Sequence, residues 1–481
     1  MIVTSSPSQL AKDWAKGYTS QPNEYAYQIK DIEGQIPPDL QGTLFRNGPG
    51  LFEVGGESIG HVFDADGMLR VFRFQEGKIY FQNRYIRTEG YLKEQKANKI
   101  LYRGFGTQRS GGWLANIFNT NLKNAANTNV VYWGGKLWAM WEGGFPHQLD
   151  PETLETIGID DLEGLLNQET FSAHPRIIDH SFINFGVSGM SPQTLTIWEL
   201  NKQRETIKSS SCPLDGFSLF HDFLVTPNYY IFIKHPFKLN PLPFLLGIKS
   251  LEQCLTFDDQ NTAKIIIISR DSQQMEILET EAFFGFHHGN AWELNNKIYL
   301  TTICSDTFPQ RENDKMELDK MSFEQPIFGQ LWQITLDLSS KAVTREPLLE
   351  RSCDFPSVHP AFVGQENRYL YLSVASQPTN KAPTQAIMKY DQSNGKYQIW
   401  SPGERSFAGE PVFVPRQGEV AEDNGYLLSV VYDASRHRSY LVILDAKNLN
   451  SPLAKCYLTH HLPQGFHGTW TPQNFLNGVS L

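Results

Sequence analysis

Histidine is the main chemical resource of this chain, with thirteen residues, and four of them stand in similar surroundings. These are FSAHPRI around His174, LFHDF around His221, FGFHHGN around His287 and GFHGTW around His467. Each has an aromatic or small apolar neighbour and a chain-reversing Pro, Gly or Asp close by. An imidazole in such a setting is expected to be buried, and a buried imidazole needs a partner for both ring nitrogens. A metal ion satisfies one nitrogen, and a carboxylate or carbonyl satisfies the other. The gaps of 47, 66 and 180 residues fit no local motif such as HExxH. Only a fold that gathers distant segments could make one site of them; the alternative is four separate core histidines bonded to backbone.

The elements available to gather them are short strands joined by tight turns. VVYWGGKLWAMW (130–141) is two apolar-aromatic runs around a Gly-Gly-Lys turn, a hairpin pattern repeated at 386–400 and 426–446. Single strands rich in β-branched and aromatic residues are predicted at 194–200, 229–234, 264–269, 297–303, 330–338 and 369–375. Helical spacing is rare: it occurs at 7–18, at 111–125 and at 156–167. No alternation of strand and helix suggests a parallel sheet. Many antiparallel strands leave a pair of sandwiches, a large barrel or a propeller, and no clean internal repeat chooses among them. Pattern alone stops at a large all-β domain with a few helices.

Composition narrows the partners. A net charge of −10 and no cluster of Lys and Arg argue against nucleic acid, which needs a concentrated basic face. The first residues lack the apolar core of a secretory signal, and no stretch reaches the roughly 18 apolar residues of a membrane span. Five scattered cysteines, odd in number and without CxxC spacing, suit a reducing compartment and are expected to be free thiols. The expectation is a cytoplasmic protein, at most peripheral to a membrane, and a monomer.

Nine blocks in order carry a resemblance to a known family. They include IPPDLQGTLFRNGPGLFE (36–53), HVFDADGML (61–69), NTNVVYW (127–133), WEGGFPHQLDPETLETIG (141–158), GEPVFVPR (409–416), EDNGYLLSVVYD (422–433) and GFHGTW. Over nearly its whole length the chain resembles the carotenoid cleavage oxygenases, in particular the cyanobacterial-type apocarotenoid oxygenases. The resemblance implies one domain over 1–481, a seven-bladed β-propeller capped by helices and loops on its active face, with residues 1–25 as an N-terminal helical segment. It further implies Fe(II) held on the propeller axis by His174, His221, His287 and His467. His287 is chosen over His288 because the family's ligand directly follows the phenylalanine, as His287 follows Phe286. Four imidazoles on an octahedral ion leave two positions for O2 or solvent.

Three acids matching the family's histidine-orienting carboxylates are Glu142, Asp354 and Glu410. Asp354 departs from the usual glutamate. Its side chain is shorter by about 1.5 Å, so the backbone must move inward, a water must bridge, or the histidine is held less tightly; the expectation is a looser bond. Implied activity is cleavage of a polyene double bond by O2 into two aldehydes, with an apocarotenoid cut at the 15,15' bond to give retinal as the first choice. Stilbene cleavage, retinoid isomerisation or a lactonase-type propeller hydrolase are the rival readings.

A polyene needs a long, dry, apolar tunnel. Trp141, Phe286 and Phe355, next to the metal motifs, are its candidate lining, although plain core is an equal reading. Thr128 matches a family position near the open side of the iron. The proline-broken segment LNPLPFLLGIK (239–249) matches a patch that dips into one leaflet, with Leu242, Phe244, Leu245 and Leu246 as contacts. Asp64, Asp66 and Gly67 read as a structural turn. His61 reads as structural and His288 as packing or support near the metal. His147, His180, His235, His359, His437, His460 and His461 read as solvated.

Overall fold

Seven antiparallel sheets form the body of the protein in the computed structural model, five of four strands and two of six. The structure describes residues 7–476, apart from 168–169, 190–191, 309–317, 319–322, 324–328 and 419–420. Within each four-stranded sheet the strands follow one another in sequence order, the pattern of successive propeller blades. The ring closes by interleaving the two ends of the chain. Gly468–Thr471 pairs with Gly42–Arg46, and Ile32–Gly34 pairs with Ala454–Tyr457. The result is a seven-bladed β-propeller.

A blade lies between two others, so both its faces are buried and its strands read as continuous apolar runs. Ala263–Ser269 is an example, in which Ile265, Ile266, Ile267 and Ile268 are all nearly inaccessible. Strand alternation sends Ile265 and Ile267 to one side, against Ala291 and Ile298 of the next blade. Ile266 and Ile268 go to the other, against Phe185 and Ile197 of the preceding one. The outermost strands, such as Thr206–Leu214 and Ala342–Leu349, carry the polar residues and face solvent.

The three hairpins and the six single strands fall where the pattern predicts them, and the first helix is Pro7–Lys16. Two helices do not form as expected. Of 111–125 only Trp113–Asn116 is helical. Gly111 and Gly112 before it, and Phe118 after it, adopt positive φ, which a right-handed helix excludes. Residues 156–167 begin with the outermost strand Thr156–Ile159 of its blade and continue as turns, with Leu162, Glu163 and Asn167 at positive φ. There Ile157 and Ile159 project into solvent, so apolar spacing marks no buried helical face.

Each blade has its innermost strand at one end of the sheet order. In chain order these are Asn129–Trp133, Arg176–Ile178, Leu224–Val225, His288–Leu294, Cys353–Ser357, Ser406–Ala408 continued by Val412–Pro415, and Gly468–Thr471. This inner ring is the scaffold of the site.

Candidate metal centre

Each innermost strand delivers one singled-out residue at or near its start: Thr128, His174, His221, His287, Asp354, Glu410 and His467. The wide spacing in sequence is therefore the blade repeat seen from above. The four histidines converge, with one ligand atom from each lying within 4.8 Å of all the others. Nε2 of His287 is 3.1 Å from Nε2 of His221 and 3.1 Å from Nε2 of His467. The His174 ring lies tilted beside His221 and edge-on to His467, with centroids 4.3 and 4.4 Å away.

Outward from this cluster stand the three acids. His467 Nδ1 meets Glu410 Oε1 at 2.8 Å, His287 Nδ1 meets Asp354 Oδ1 at 2.6 Å, and His221 Nδ1 sits against the carboxylate of Glu142. Arg46 grips the other oxygen of Glu410 and donates to the carbonyl of Phe466 at 2.6 Å, tying the acid to the backbone beside His467. Burial opposes charge on Glu410, but Arg46 and His467 outweigh it and bring its pKa down to about 2. Burial likewise opposes charge on Asp354 and Glu142, and the adjacent histidines again prevail, lowering both. His174 has no carboxylate among these partners. Burial and the three neighbouring histidines hold its pKa well below the ordinary range.

The looser bond expected of Asp354 is absent, because its contact is no longer than that of Glu410. The backbone makes up the missing length. Pairing of Cys353–Ser357 with its neighbour runs Asp354 to Ser373 and then Ser357 to Tyr371, so Phe355 and Pro356 form a bulge. Phe355 takes φ +53°, and its N–H donates to Asp354 Oδ1 at 2.8 Å. A bulge bends the strand and re-aims its side chains, here bringing the shorter acid within reach of His287.

This arrangement fits a metal ion. A neutral imidazole whose Nδ1–H donates to a carboxylate keeps its Nε2 lone pair free. Lone pairs facing one another at 3.1 Å repel unless a cation lies among them. Nε2 of His174 is buried with no hydrogen-bond partner, which a metal would supply. A first-row divalent ion takes imidazole nitrogens at about 2.1 Å, so two at right angles stand about 3 Å apart, matching the observed contacts.

Over the cluster opens a cavity of about 320 Å3. Thr128, Trp141, Phe286 and Phe355 all line it, together with His221, His287 and His467. Sequence reasoning missed Phe63, Phe105, Phe284 and Phe308 on the same walls. Phe284 packs edge-on against Phe286, with ring centres 4.6 Å apart. Phe63 packs edge-on against Phe286 and belongs to a turn held from below. There Asp64 accepts from the N–H groups of Phe105 and Gly106 and from the Thr107 hydroxyl, and Lys123 bridges Asp66 and Glu94. His61 also lines the cavity, and its Nδ1 accepts from Phe63 N–H.

Three histidines expected to be solvated are buried. Both ring nitrogens of His235 face carbonyls, Phe283 at 2.8 Å and Gly285 at 3.0 Å; Nδ1 of His359 accepts from Ala361 N–H; His147 lies within a blade. His288 is buried against the Thr302 hydroxyl. Among the cysteines all are free, and only Cys212 is not fully buried.

On the outer surface two four-residue helices, Trp113–Asn116 and Leu242–Leu245, share an apolar lip. Trp113, Leu114, Phe118, Leu242 and Ile248 are each more than half exposed. Leu245 and Leu246 are half-buried. Phe244 is not on the surface at all. It is 7% exposed and lies under the guanidinium of Arg103, 3.6 Å from its ring centre. Arg103 also donates to the carbonyls of Asn119, Phe244 and Lys249, and Phe118 N–H donates to Leu245 carbonyl at 2.7 Å, locking the two segments together. Glu252, which follows the second of these segments in the chain, lines the cavity and donates its N–H to the carbonyl of Phe105 on the same wall. No described helix is long and apolar enough to cross a membrane.

Residues 18–472 match the family of the retinal pigment epithelial membrane protein, and the chain belongs to this carotenoid oxygenase family. Among curated relatives it is 45% identical to the apocarotenoid-15,15'-oxygenase of Synechocystis sp., over 97% of this chain and 98% of the relative. It is 30% identical to an isoeugenol monooxygenase of Pseudomonas nitroreducens, over 92% of this chain and 94% of the relative. The solved structure of cobalt-substituted Synechocystis apocarotenoid oxygenase superimposes with a TM-score of 0.94 at 44% identity, covering 96% of this chain and 98% of that one.

Proposed function

We propose that this protein is a non-haem iron oxygenase that cleaves a double bond of an apocarotenoid with O2, at the 15,15' position, to give retinal and a second aldehyde. The observation that carries this reading is the convergence of four imidazoles, three of them backed by carboxylates, beneath a cavity walled by aromatic rings. His174, His221, His287 and His467 would hold the ion. Fe(II), when bound there, supplies the one-electron chemistry that lets O2 react with an alkene. The solved Synechocystis relative accepts cobalt, which supports a replaceable divalent ion in this fold.

The remaining work falls to the chain itself. Glu142, Asp354 and Glu410 fix ring orientation and keep the Nδ1 proton in place. Thr128, Trp141, Phe286 and Phe355 hold a flat, apolar chain over the cluster and exclude water. Their ring faces also stabilise positive charge spreading along a polyene as a double bond opens. The apolar lip, carried by Leu242, Leu245 and Leu246 and enlarged by Trp113, Leu114 and Phe118, is the surface through which a lipophilic substrate would enter from one leaflet. Among the described residues no lysine lines the cavity, so the Tyr–Lys grip on a phenol that a stilbene cleaver needs has no counterpart among them.

The test is to load metal-free protein with Fe(II) under argon and offer an apocarotenal in detergent, with and without O2. Formation of retinal that requires both iron and O2 supports the reading. Iron bound without cleavage of any apocarotenal would remove the substrate assignment and leave the metal centre.

A further inference from the structure

Carboxylates orient the rings of His221, His287 and His467, but the rings can share one ion only if the strands that carry them also keep their spacing. An innermost strand has no strand beside it on the axis side, so its peptide groups there need other partners. Across three successive blades such partners come from one ion pair, Arg176 with Asp222. Arg176 lies two residues after His174 and opens the innermost strand Arg176–Ile178. Asp222 directly follows His221, and His288 directly follows His287 at the start of His288–Leu294. Nη2 of Arg176 donates to Oδ1 and Oδ2 of Asp222 at 2.8 and 2.6 Å. Asp222 also accepts from the N–H of Phe223 at 2.7 Å and from that of His288 at 2.9 Å. Arg176 in turn donates to the carbonyls of the same two residues, from Nε to Phe223 at 2.9 Å and from Nη2 to His288 at 3.0 Å. Both backbone groups of Phe223 and of His288 are therefore held by the pair, the N–H by the acid and the carbonyl by the arginine.

Stability alone does not account for this arrangement. Asp222 is buried, and desolvating such a pair costs about as much as its attraction returns, so apolar side chains of similar size would serve the fold as well. What apolar side chains cannot do is accept from two N–H groups and donate to two carbonyls in fixed directions. The planar fork of arginine against the two oxygens of a carboxylate does both. His174, whose ring meets none of the three acids, depends on its backbone for its place. Its own N–H donates to Ser172 Oγ at 3.1 Å, and Asn129 Nδ2 donates to the carbonyl of the preceding Ala173 at 2.7 Å. Arg176 then ties the same stretch of chain to the next two blades.

We propose that Arg176 and Asp222 are positioning residues of the metal centre: the pair fixes the backbone beside His221 and His287 to the blade of His174, and so holds three of the four imidazoles at the spacing one ion needs. The proposal rests on the four-histidine metal centre and is independent of the substrate. Its test is a titration of metal-free wild type, Asp222→Asn and Arg176→Lys with Co(II), followed by the visible absorption of the bound ion and by competition with a chelator. Thermal unfolding of each metal-free protein is measured alongside. Glu199→Gln is the comparison, since it breaks a buried pair with Arg270 that bridges the first two of these blades and touches none of the four histidines.

Asp222→Asn and Arg176→Lys should each weaken Co(II) binding by at least about tenfold, the loss typical of a group that supports a metal ligand. Their absorption bands at saturating Co(II) should also differ from those of wild type. Glu199→Gln should lower the unfolding midpoint and leave affinity and bands as they are. If Asp222→Asn does not fold, Arg176→Lys carries the same test, because lysine keeps the charge but lacks the fork that reaches Asp222 and both carbonyls at once. A lowered midpoint with wild-type Co(II) affinity and bands would overturn the proposal and leave the pair a prop of the fold. Failure of wild type itself to bind Co(II) would overturn the metal centre, and the proposal with it.

Discussion

The inner ring and the apolar lip are built on opposite plans. In the ring, each histidine stands at or near the start of an innermost strand, and three are held from behind by a carboxylate, two of which are themselves held, Glu410 by Arg46 and Asp354 by the Phe355 N–H. In the lip, two four-residue helices are joined largely by one arginine and leave five large apolar side chains in water. Chemistry that tolerates little misplacement sits on strands locked by neighbouring blades, while the adaptable contact is placed on connections. Disturbing the first region should change metal and turnover. Disturbing the surface of the second should change only where the protein partitions.

His287→Ala should break the contrast most severely, because His287 is the histidine whose Nε2 meets two others. Metal content should fall to background, and turnover should drop by more than about 100-fold, beyond the loss typical of an orienting partner. Glu410→Ala and Asp354→Ala should each cost about 10–100-fold in metal affinity or activity, measured by competition with a chelator. A smaller loss for Asp354 would mean that the bulge at Phe355 positions His287 without the acid. Phe244→Ala separates the lip's foundation from its surface. It should destabilise the fold by about 3–5 kcal/mol, the cost of truncating a buried phenylalanine, read from denaturant midpoints. Leu114→Asp with Leu242→Asp should have the smallest effect on the enzyme. Liposome and detergent binding should weaken, while metal content and unfolding stay within about 0.5 kcal/mol of wild type. Loss of metal in that pair would dissolve the distinction between the two regions.

Much of the inner ring was legible because its signals are local. His174, His221, His287 and His467 each carry a turn-forming neighbour, and the middle strands of the blades read as apolar runs buried on both faces. Their convergence was not legible from spacing, since gaps of 47, 66 and 180 residues acquire meaning only when blades are counted; resemblance to the family supplied it. Asp354 shows a different limit. Its shorter side chain predicts a looser bond, but φ at Phe355 and the bulge that compensates are backbone properties that no residue type announces. Burial of His235, His147 and His359 was missed for the same reason, as backbone surroundings such as the two carbonyls facing His235 leave no mark in the chain. At the lip, 242–246 was visible as a proline-broken apolar run. Trp113, Leu114 and Phe118 fall in a stretch read only as helical spacing over 111–125, and the positive φ at Gly111, Gly112 and Phe118 stops that helix from forming.

The central claim is that four imidazoles hold one iron on the propeller axis. Titrating metal-free protein with Fe(II) under argon, followed by iron analysis after desalting, tests it directly in wild type and His287→Ala. The account predicts one tightly held iron per chain in wild type and none in the variant. Equal retention by both proteins, or none by either, would contradict it.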